Sequence, residues 1–483
     1  MGKKTRRIQS ISERRGLQDE LLRITAMQEG VTSAKLEWQA HEQTRSLVDK
    51  IRNLEATFER PTTPRKERME ALLEWAKDSL KIDVSSIKIE ENEKKGFGFV
   101  ASRDMAENEV ILTIPDNYFL KLPRNGPVAK FISQDKMLIF MPNVALAVYL
   151  LSEYFNKKSF WKVYFDALPD SFDTVLYWSD EELKRLKGSV AFGEAIKLYR
   201  NIARQYAYLS KVLQAYGDPQ LPLISYDQYR WAVSVIMTRQ NALNPEAFNT
   251  ALVPLWDNCN HEVNAVASTD YVIAKEKMDH GYAECHLTQA VKAGNPITIN
   301  YGKKRILQDL LLHCGFVPEI TNALENPIRI KLGISTADRL YAKRLKLLAL
   351  FGLEASCSYE ISCDLPEKSL LYVFIRVFHM DEATIEKWLE SDNYSVISML
   401  EDSPAGEEIE RKAWNLLKER LSLILASYTT TKDEDMAAAK SDQNRLAFAT
   451  RLKTAEKCVL QRLKEICIEY IERLDKEIPS LEK

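Results

Sequence analysis

The amino-acid sequence predicts an α+β fold in which a helical block interrupts a β-rich domain, with a further helical region after it. Runs with β-type patterning lie within residues 96–115 and again between about 265 and 302. Apolar residues recur at helical spacing from about 133 to 240, and this spacing returns beyond about residue 320. The order of these patterns in a chain of 483 residues indicates more than one domain.

Residues 1–85 are predicted to form an N-terminal helical arm. Apolar positions at helical spacing run from Leu36 to Leu54 and again through MEALLEWAKDSL, and the breaker run RPTTPR separates the two stretches. The next segment, KKGFGFVASRDMAENEVILTIPD, contains two short β-type runs on either side of a polar turn. It is predicted to be a hairpin or meander that begins with Gly-Phe-Gly.

Two helix boundaries carry start or stop signals. Ser225 and Gln228 have capping-box spacing at the start of the last helix of the central block, SYDQYRWAVSVIMTRQN. The region beyond residue 318 is predicted to be all-helical. Its first helix is expected to begin with Ser335 and Asp338 as capping residues and to end at Gly352.

The composition excludes several classes of protein. Lysine and arginine total 67 against 69 acidic residues, so the net charge of -2 gives no field that attracts nucleic acid. No stretch has the apolar length of a membrane span. Seven cysteines without close pairing indicate reduced thiols in the cytoplasm. We expect a monomer, and we interpret the basic start MGKKTRRIQSISERR as a solvated arm, with a nuclear signal as the alternative.

A zinc site is not expected. The candidate ligands are Cys259, His261, Cys285 and His286. The members of each pair are one or two residues apart, and the spacing between the pairs fits no zinc-finger pattern. The sequence therefore predicts no bound metal.

Three groups of polar residues fall at predicted ends of elements, where binding groups usually lie. They are Arg239-Gln240-Asn241 at the end of a helix, the run WDNCNH after the apolar run LVPL, and Tyr301-Gly302 after a strand. Each alone has an ordinary explanation, because an arginine stabilises a helix C-terminus, a tryptophan packs in a core and a tyrosine suits a strand. The three together, with a Gly-x-Gly upstream, favour a binding site.

The order GFGF, a helical insertion ending in RQN, WDNCNH and INYG resembles the SET-domain protein methyltransferases. The likeness covers about residues 15–475 and is to the branch that includes the Rubisco large-subunit lysine methyltransferase. The stretches SFWKVYFDALPDSFDTVLYW, YRNIARQYAYLSKV and KLGISTADRLYA look like the histidine-directed members of that branch, whose substrate is actin. The resemblance implies a SET domain at 86–318 with a helical insert at about 133–240. A helical substrate-binding domain would follow at 319–483.

The resemblance implies S-adenosylmethionine as the methyl donor. Gly96 and Gly98 would let the backbone approach the cofactor, and Arg239 would meet its carboxylate with a fork of donors. Asn260 and His261 would clamp the cofactor, largely through backbone groups. The implied cofactor-binding set is Gly96, Phe97, Gly98, Glu109, Val110, Ile111, Arg239, Asp257, Asn258, Cys259, Asn260, His261 and Tyr301.

The same resemblance gives Tyr301 the role of the catalytic tyrosine that lines the methyl-transfer channel. A histidine acceptor, with a pKa of about 6.5, needs its tautomer fixed rather than a proton removed. Asn241 would fix the tautomer, and Trp256 would form a flat wall for the ring. Lysine-modifying relatives usually have a smaller residue in place of Trp256 and lack Asn241, which favours one tele-methyl group on a histidine of actin. The implied substrate-binding residues are Gln240, Asn241, Trp256, Ile299 and Arg305.

Two alternatives remain open: a lysine methyltransferase acting on a non-histone protein, and a non-catalytic interaction scaffold. The presence of the implied cofactor and catalytic residues argues against the scaffold alone. One departure from the family is the run Lys303-Lys304-Arg305, which stands where a single arginine would hold the substrate. His313 and Cys314 are predicted to be packing residues of a helix.

Overall fold

The computed structural model describes residues 3–28, 34–244, 249–272, 280–302, 305–363, 369–390, 406–438 and 444–477. The chain divides into two units. The first contains Met1–Tyr177, Ile196–Arg305 and His313–Gly315, and the second contains Trp178–Ala195, Ile306–Leu312 and Phe316–Lys483. Within the described ranges, no helix is long and apolar enough to cross a membrane.

The predicted helices of the N-terminal arm are confirmed. Pro64 immediately precedes the last of them. Proline is tolerated at the start of a helix because its missing N–H would have no partner within the helix. The buried amide of Gln18 donates to the Tyr206 hydroxyl at 2.8 Å and to Ser210 Oγ at 2.9 Å, so polar contacts fix the arm to the rest of the first unit. The helices are α1 (Lys3–Met27), α2 (Ala34–Leu54) and α3 (Arg65–Asp78).

The predicted hairpin after the arm is wrong, because its two strands belong to different sheets. Gly96–Ala101 pairs antiparallel with an earlier strand, Ile87–Asn92, whereas Val110–Pro115 pairs with Tyr282–Leu287. The earlier strand was not predicted, because its charged outward-facing residues obscure the alternation of apolar and polar positions. Asn92 Oδ1 closes the turn between the two strands by accepting the N–H groups of Lys94 and Lys95. Gly96 follows with a φ of +69°, a value that suits glycine.

In the described part of the first unit, the β structure consists of two sheets and one antiparallel strand pair. One sheet has the order β1-β2-β9-β6, the other has the order β3-β8-β7, and β4 pairs with β5. The short strand β6 runs parallel to β9, with His261 opposite Ile299. The strands are β1 (Ile87–Asn92), β2 (Gly96–Ala101), β3 (Val110–Pro115), β4 (Gln240–Asn244), β5 (Asn249–Leu252), β6 (Asn260–His261), β7 (Ala267–Val272), β8 (Tyr282–Leu287) and β9 (Pro296–Ile299).

A helical block separates β3 from β4, as predicted. The capping box at its last helix is confirmed, with reciprocal bonds between Ser225 and Gln228. That helix ends at Arg239 rather than at Asn241, because Gln240 is already the first residue of β4. The helices are α4 (Pro127–Gln134), α5 (Lys136–Phe140), α6 (Pro142–Phe155), α7 (Lys162–Ala167), α8 (Asp180–Lys184), α9 (Val190–Tyr216) and α10 (Tyr226–Arg239).

The C-terminal region is mainly helical but contains a strand pair that the sequence analysis missed. Ile328, Ile330 and Leu332 alternate inward along the first of these strands. The first long helix of the C-terminal region begins at Tyr341, later than predicted. Asp338 does not cap this helix, because it accepts the Leu340 N–H in a turn before the helix. The elements are α11 (Leu307–Asp309), β10 (Ile328–Gly333), α12 (Tyr341–Ala349), β11 (Ser356–Ile361), α13 (Leu370–His379), α14 (Glu382–Glu390), α15 (Glu407–Ser427), α16 (Lys432–Ala438) and α17 (Asn444–Glu477).

A buried ion pair joins α13 to α15. Arg376 Nε lies 2.5 Å from Glu410 Oε1, and the two side chains are only 4% and 1% exposed. A hydrogen bond between the two side chains runs from Nη2 to Oε2 at 3.2 Å. A charge that loses its partner in such a place stays desolvated and uncompensated, so the two helices depend on both members of the pair.

Replacing Glu410 by alanine should therefore lower the free energy of unfolding by about 3–5 kcal/mol, the usual cost of breaking a buried pair. Chemical denaturation followed by circular dichroism measures this change. The matched control is Glu408→Ala on the same helix, which removes an exposed partner of Lys412 and should leave the midpoint unchanged. A Glu410→Ala protein with the wild-type midpoint would contradict the assignment.

Candidate active site

The candidate site is organised around the guanidinium of Arg239, the last residue of α10. Its Nη1 donates to the backbone oxygen of Asp257 at 3.0 Å and to Asn258 Oδ1 at 3.2 Å. The same nitrogen lies 3.5 Å from Asp257 Oδ1. The structure thus brings together two of the three polar groups that the sequence singled out, the helix end and the WDNCNH loop.

The Asp257 carboxylate beneath Arg239 is completely buried. It accepts a hydrogen bond from the Tyr164 hydroxyl at 2.5 Å and one from Asn258 Nδ2 at 3.2 Å. Burial raises the pKa of Asp257, while Arg239 and the Tyr164 hydroxyl act in the opposite direction. A buried carboxylate of this kind serves to fix its cationic neighbour in place.

A sharp turn at Leu255 leads from the buried run LVPL into this loop. Leu255 has φ +73° and ψ −64°, a conformation that a side chain with a Cβ rarely adopts. Its backbone oxygen accepts the N–H of Asn258 at 2.9 Å and the Asn258 side-chain amide at 3.1 Å, which stabilises the turn. Strain of roughly 1–3 kcal/mol at such a residue is typical of functional sites.

Gly98 of β2 lies directly against the side chain of Asn260. A Cβ at Gly98 would stand 2.3 Å from Asn260 Nδ2 and 3.3 Å from its Cγ. Only glycine leaves room for this amide, so the Gly-Phe-Gly run and the WDNCNH loop are in contact.

Tyr301 bonds to the same loop through both its hydroxyl and its backbone. The hydroxyl donates to the Cys259 carbonyl at 3.0 Å, and the backbone N–H donates to His261 Nδ1 at 3.2 Å. Burial raises the pKa of Tyr301 and lowers the pKa of His261, so both side chains are neutral near pH 7. A neutral imidazole is what the second bond requires, because Nδ1 must accept.

Three of the predicted substrate residues lie on strands, and Trp256 lies in the loop itself. Asn241 of β4 donates from Nδ2 to the Arg239 carbonyl at 3.1 Å, so its Oδ1 is the atom that can accept a ring N–H. Gln240 Oε1 is buried and has no hydrogen-bond partner within the described residues. Ile299, at the end of β9, pairs with β6. Trp256 is only 2% exposed, so its role as a wall for an acceptor ring stays a prediction.

Arg305 contacts Cys314. Its Nη1 lies 2.9 Å from Cys314 Sγ, and its backbone N–H donates to the Gly302 oxygen at 3.0 Å. Cys314 ends a short π-helical segment, and its role as a packing residue of a helix stays a prediction. Lys303 and Lys304 lie outside the described residues.

Three predicted cofactor residues lie on a different sheet. Glu109 pairs with Arg103 and accepts the Ala106 N–H at 3.0 Å, and β3, which begins at Val110, pairs with β8. Ile111 is buried at the irregularity of that pairing. The strand that these residues begin belongs to a different sheet from β2 and β6, and their contact with a cofactor stays a prediction.

Arg65 is a site residue that the sequence analysis missed. Its guanidinium carbon lies 5.2 Å from the centroid of the Phe97 ring, and its Nε donates to the Ala167 oxygen at 3.4 Å. Burial and, after it, the neighbouring Arg239 charge lower its pKa to about 10, so Arg65 is still charged at neutral pH. No sequence signal links a helix start in the arm to this place.

The arginines of the arm hold the end of α7, which carries Tyr164. Arg60 Nη2 donates to the Phe165 oxygen at 2.8 Å and Arg68 Nη1 donates to the Asp166 oxygen at 2.6 Å. Carbonyl groups at a helix C-terminus lack partners within the helix, and these cations satisfy them. The arm thereby fixes α7, and with it Tyr164.

Comparison with known proteins places the chain in a family. Residues 335–460 match the family described as Rubisco LSMT substrate-binding. The actin-histidine N-methyltransferase of Callithrix jacchus is 35% identical over 445 residues, covering 88% of this chain and 73% of the relative. The enzymes of that name from Mus musculus and Homo sapiens are each 34% identical with the same coverage.

Solved structures agree on the fold. The SET domain of LSMT bound to lysine and AdoHcy matches with a TM-score of 0.72 at 22% identity, covering 86% of this chain and 94% of that one. Rubisco LSMT bound to AdoMet matches with a TM-score of 0.67 at 22% identity, with the same coverage. The predicted SET-domain fold is confirmed, and the chain belongs to the family of actin-histidine N-methyltransferases.

Proposed function

We propose that this chain transfers one methyl group from S-adenosylmethionine (AdoMet) to the tele nitrogen of a histidine in actin. One observation carries the proposal: Arg239 joins the two halves of the site. Its guanidinium bonds to the WDNCNH loop, and its carbonyl accepts the amide N–H of Asn241. Arg239, which would hold the methyl donor, and Asn241, which would orient the acceptor, are thus two residues apart in the chain.

The residues present fit AdoMet. Arg65 and Arg239 carry two positive charges around the single buried carboxylate of Asp257, which leaves one charge for the carboxylate of the cofactor. Because Gly98 has no side chain, its backbone lies directly against the side chain of Asn260. AdoMet, when bound, supplies a methyl group on a sulfonium. The chain itself must orient the acceptor and exclude water.

The acceptor chemistry follows from the neutral groups at the site. The Tyr301 hydroxyl is held protonated by its burial and donates to the Cys259 carbonyl, so it positions groups and does not act as a base. An imidazole is already mostly neutral at cellular pH and needs no base. Asn241 Oδ1 accepts its N–H, and the other ring nitrogen then presents its lone pair.

We propose likewise that the protein acts as a monomer in the cytoplasm and that actin binds directly to it. The near-neutral net charge of -2 supports a folded protein substrate over nucleic acid or a basic tail. The domain limits at residues 85 and 318 are part of the same proposal.

Replacing Gly98 by alanine should weaken AdoMet binding about ten- to a hundredfold, because the new Cβ overlaps the Asn260 amide and overpacking of this kind costs about 1–3 kcal/mol. Isothermal titration calorimetry with AdoMet measures the change. Gly193→Ala is the control, since nothing lies within 4 Å of a Cβ there. Equal affinities in the two variants would count against Gly98 as part of the cofactor site.

Mass spectrometry of unmethylated actin incubated with this protein and AdoMet tests the reaction. We expect a single methyl group on one histidine. Tyr301→Phe should reduce the rate about a hundredfold because the channel loses its fixed hydroxyl. Tyr282→Phe, on the other sheet, is the control and should keep the wild-type rate.

Asn241→Ala should reduce the rate at least about tenfold, the effect of one lost hydrogen bond of this kind. The same variant, tested on actin whose target histidine is replaced by lysine, separates histidine from lysine specificity. A wild-type enzyme that modifies the lysine as fast as the histidine would favour the lysine methyltransferase. Absence of AdoMet binding would favour a scaffold.

A further inference from the structure

Tyr164 lies outside every group of residues that the sequence linked to the site, yet its hydroxyl is bonded to the carboxylate beneath Arg239. Tyr164 is on α7 and is 1% exposed. Its hydroxyl donates to Asp257 Oδ2 at 2.5 Å, and Asp257 Oδ1 lies 3.5 Å from Arg239 Nη1. The two carboxylate oxygens thus face different partners, the tyrosine on one side and the arginine on the other.

We propose that Tyr164 is a positioning residue for the cofactor site, which fixes the orientation of the Asp257 carboxylate and through it the guanidinium of Arg239. The inference rests on the proposed function, because it assigns Arg239 to AdoMet. Tyr164 itself touches neither the cofactor nor the acceptor. It acts through Asp257.

The hydroxyl is needed because the carboxylate has few other donors. Asn258 Nδ2 donates one N–H to the Leu255 carbonyl and the other to Asp257 Oδ1 at 3.2 Å, so it holds the oxygen that faces Arg239 and not Oδ2. Oδ2 is bonded to Tyr164. Without this bond the carboxylate can rotate about its side chain, and Arg239 loses a fixed counter-charge.

The proposal has a pH signature. Asp257 attracts Arg239 only when it is ionised, so AdoMet affinity should fall as pH drops through the pKa of Asp257. Burial raises that pKa, and the hydroxyl of Tyr164 lowers it by donating to the ionised form. Removing the hydroxyl raises the pKa of Asp257 further. The fall of AdoMet affinity on acidification, which is the acid limb of binding, therefore moves to higher pH. The titratable and charged groups that face Asp257 are Arg239 on α10, Tyr164 on α7, Arg65 on α3, Tyr301 after β9 and Cys259 in its own loop.

The test is Tyr164→Phe in the full-length protein, with AdoMet affinity measured by calorimetry across the pH range. We expect the Kd to rise about tenfold, as for a lost hydrogen bond to a charged group. We also expect the acid limb of binding to move to higher pH. Tyr229→Phe is the matched control, because Tyr229 is also buried and its hydroxyl donates to Gln205 at 2.9 Å, away from Asp257. It should change neither quantity.

Each outcome decides the proposal. A folded Tyr164→Phe protein with wild-type affinity overturns it, and so does a raised Kd with an unmoved acid limb, since that result indicates lost packing alone. If the variant does not fold, Asp257→Asn replaces it. That variant keeps the shape of the side chain and should bind AdoMet weakly with no acid limb. Wild-type affinity in Asp257→Asn overturns the proposal, whereas a wild-type protein that binds no AdoMet contradicts the proposed function.

Discussion

The hydrogen bonds of Arg239 to the loop at residues 257–258 are the interaction on which the rest of the site depends. They connect the end of the helical block with the strand pair that follows it and with the loop that β6 continues. The helix ends at this residue, and its carbonyl accepts a hydrogen bond from the side chain of Asn241 in β4. The guanidinium holds the loop while the backbone carbonyl holds Asn241, so a displacement of Arg239 that moves both its backbone and its side chain would disturb the loop and β4 together.

This arrangement concentrates positive charge in a place with little water. Arg65 and Arg239 repel each other, and the lowered pKa of Arg65 expresses that repulsion together with its burial. The arm tolerates the charge because Arg60 and Arg68 share the Asp170 carboxylate and satisfy the open carbonyl groups of α7. Under the proposed function these charges are in place before the cofactor carboxylate binds, which is the general condition for electrostatic binding without reorganisation.

The sequence predicted the alternation of strands and helices, because period and capping signals are local. Through resemblance to a family it assigned Gly98 and Asn260 to one cofactor site, but it did not predict that the two residues touch. It missed β1, whose charged outer face hides the buried positions, and it joined β2 to β3 because chain neighbours usually pair. Arg65 and Tyr164 were missed for a different reason. Both reach the site from elements far away in the chain, and no local pattern reports a contact of that kind.

The pairing of β2 with β9 has a consequence for how the protein is made. Phe99 pairs with Ile297, so the strand that carries Gly98 cannot complete its pairing until a segment roughly 200 residues further along the chain has been synthesised. On the ribosome, the arm and the helical block leave the exit tunnel long before β9 exists, and they can begin to collapse without it. The cofactor site must then close as one of the last events of folding. Until translation passes Tyr301, the nascent chain has an unpaired strand edge that is open to chaperones and to other chains.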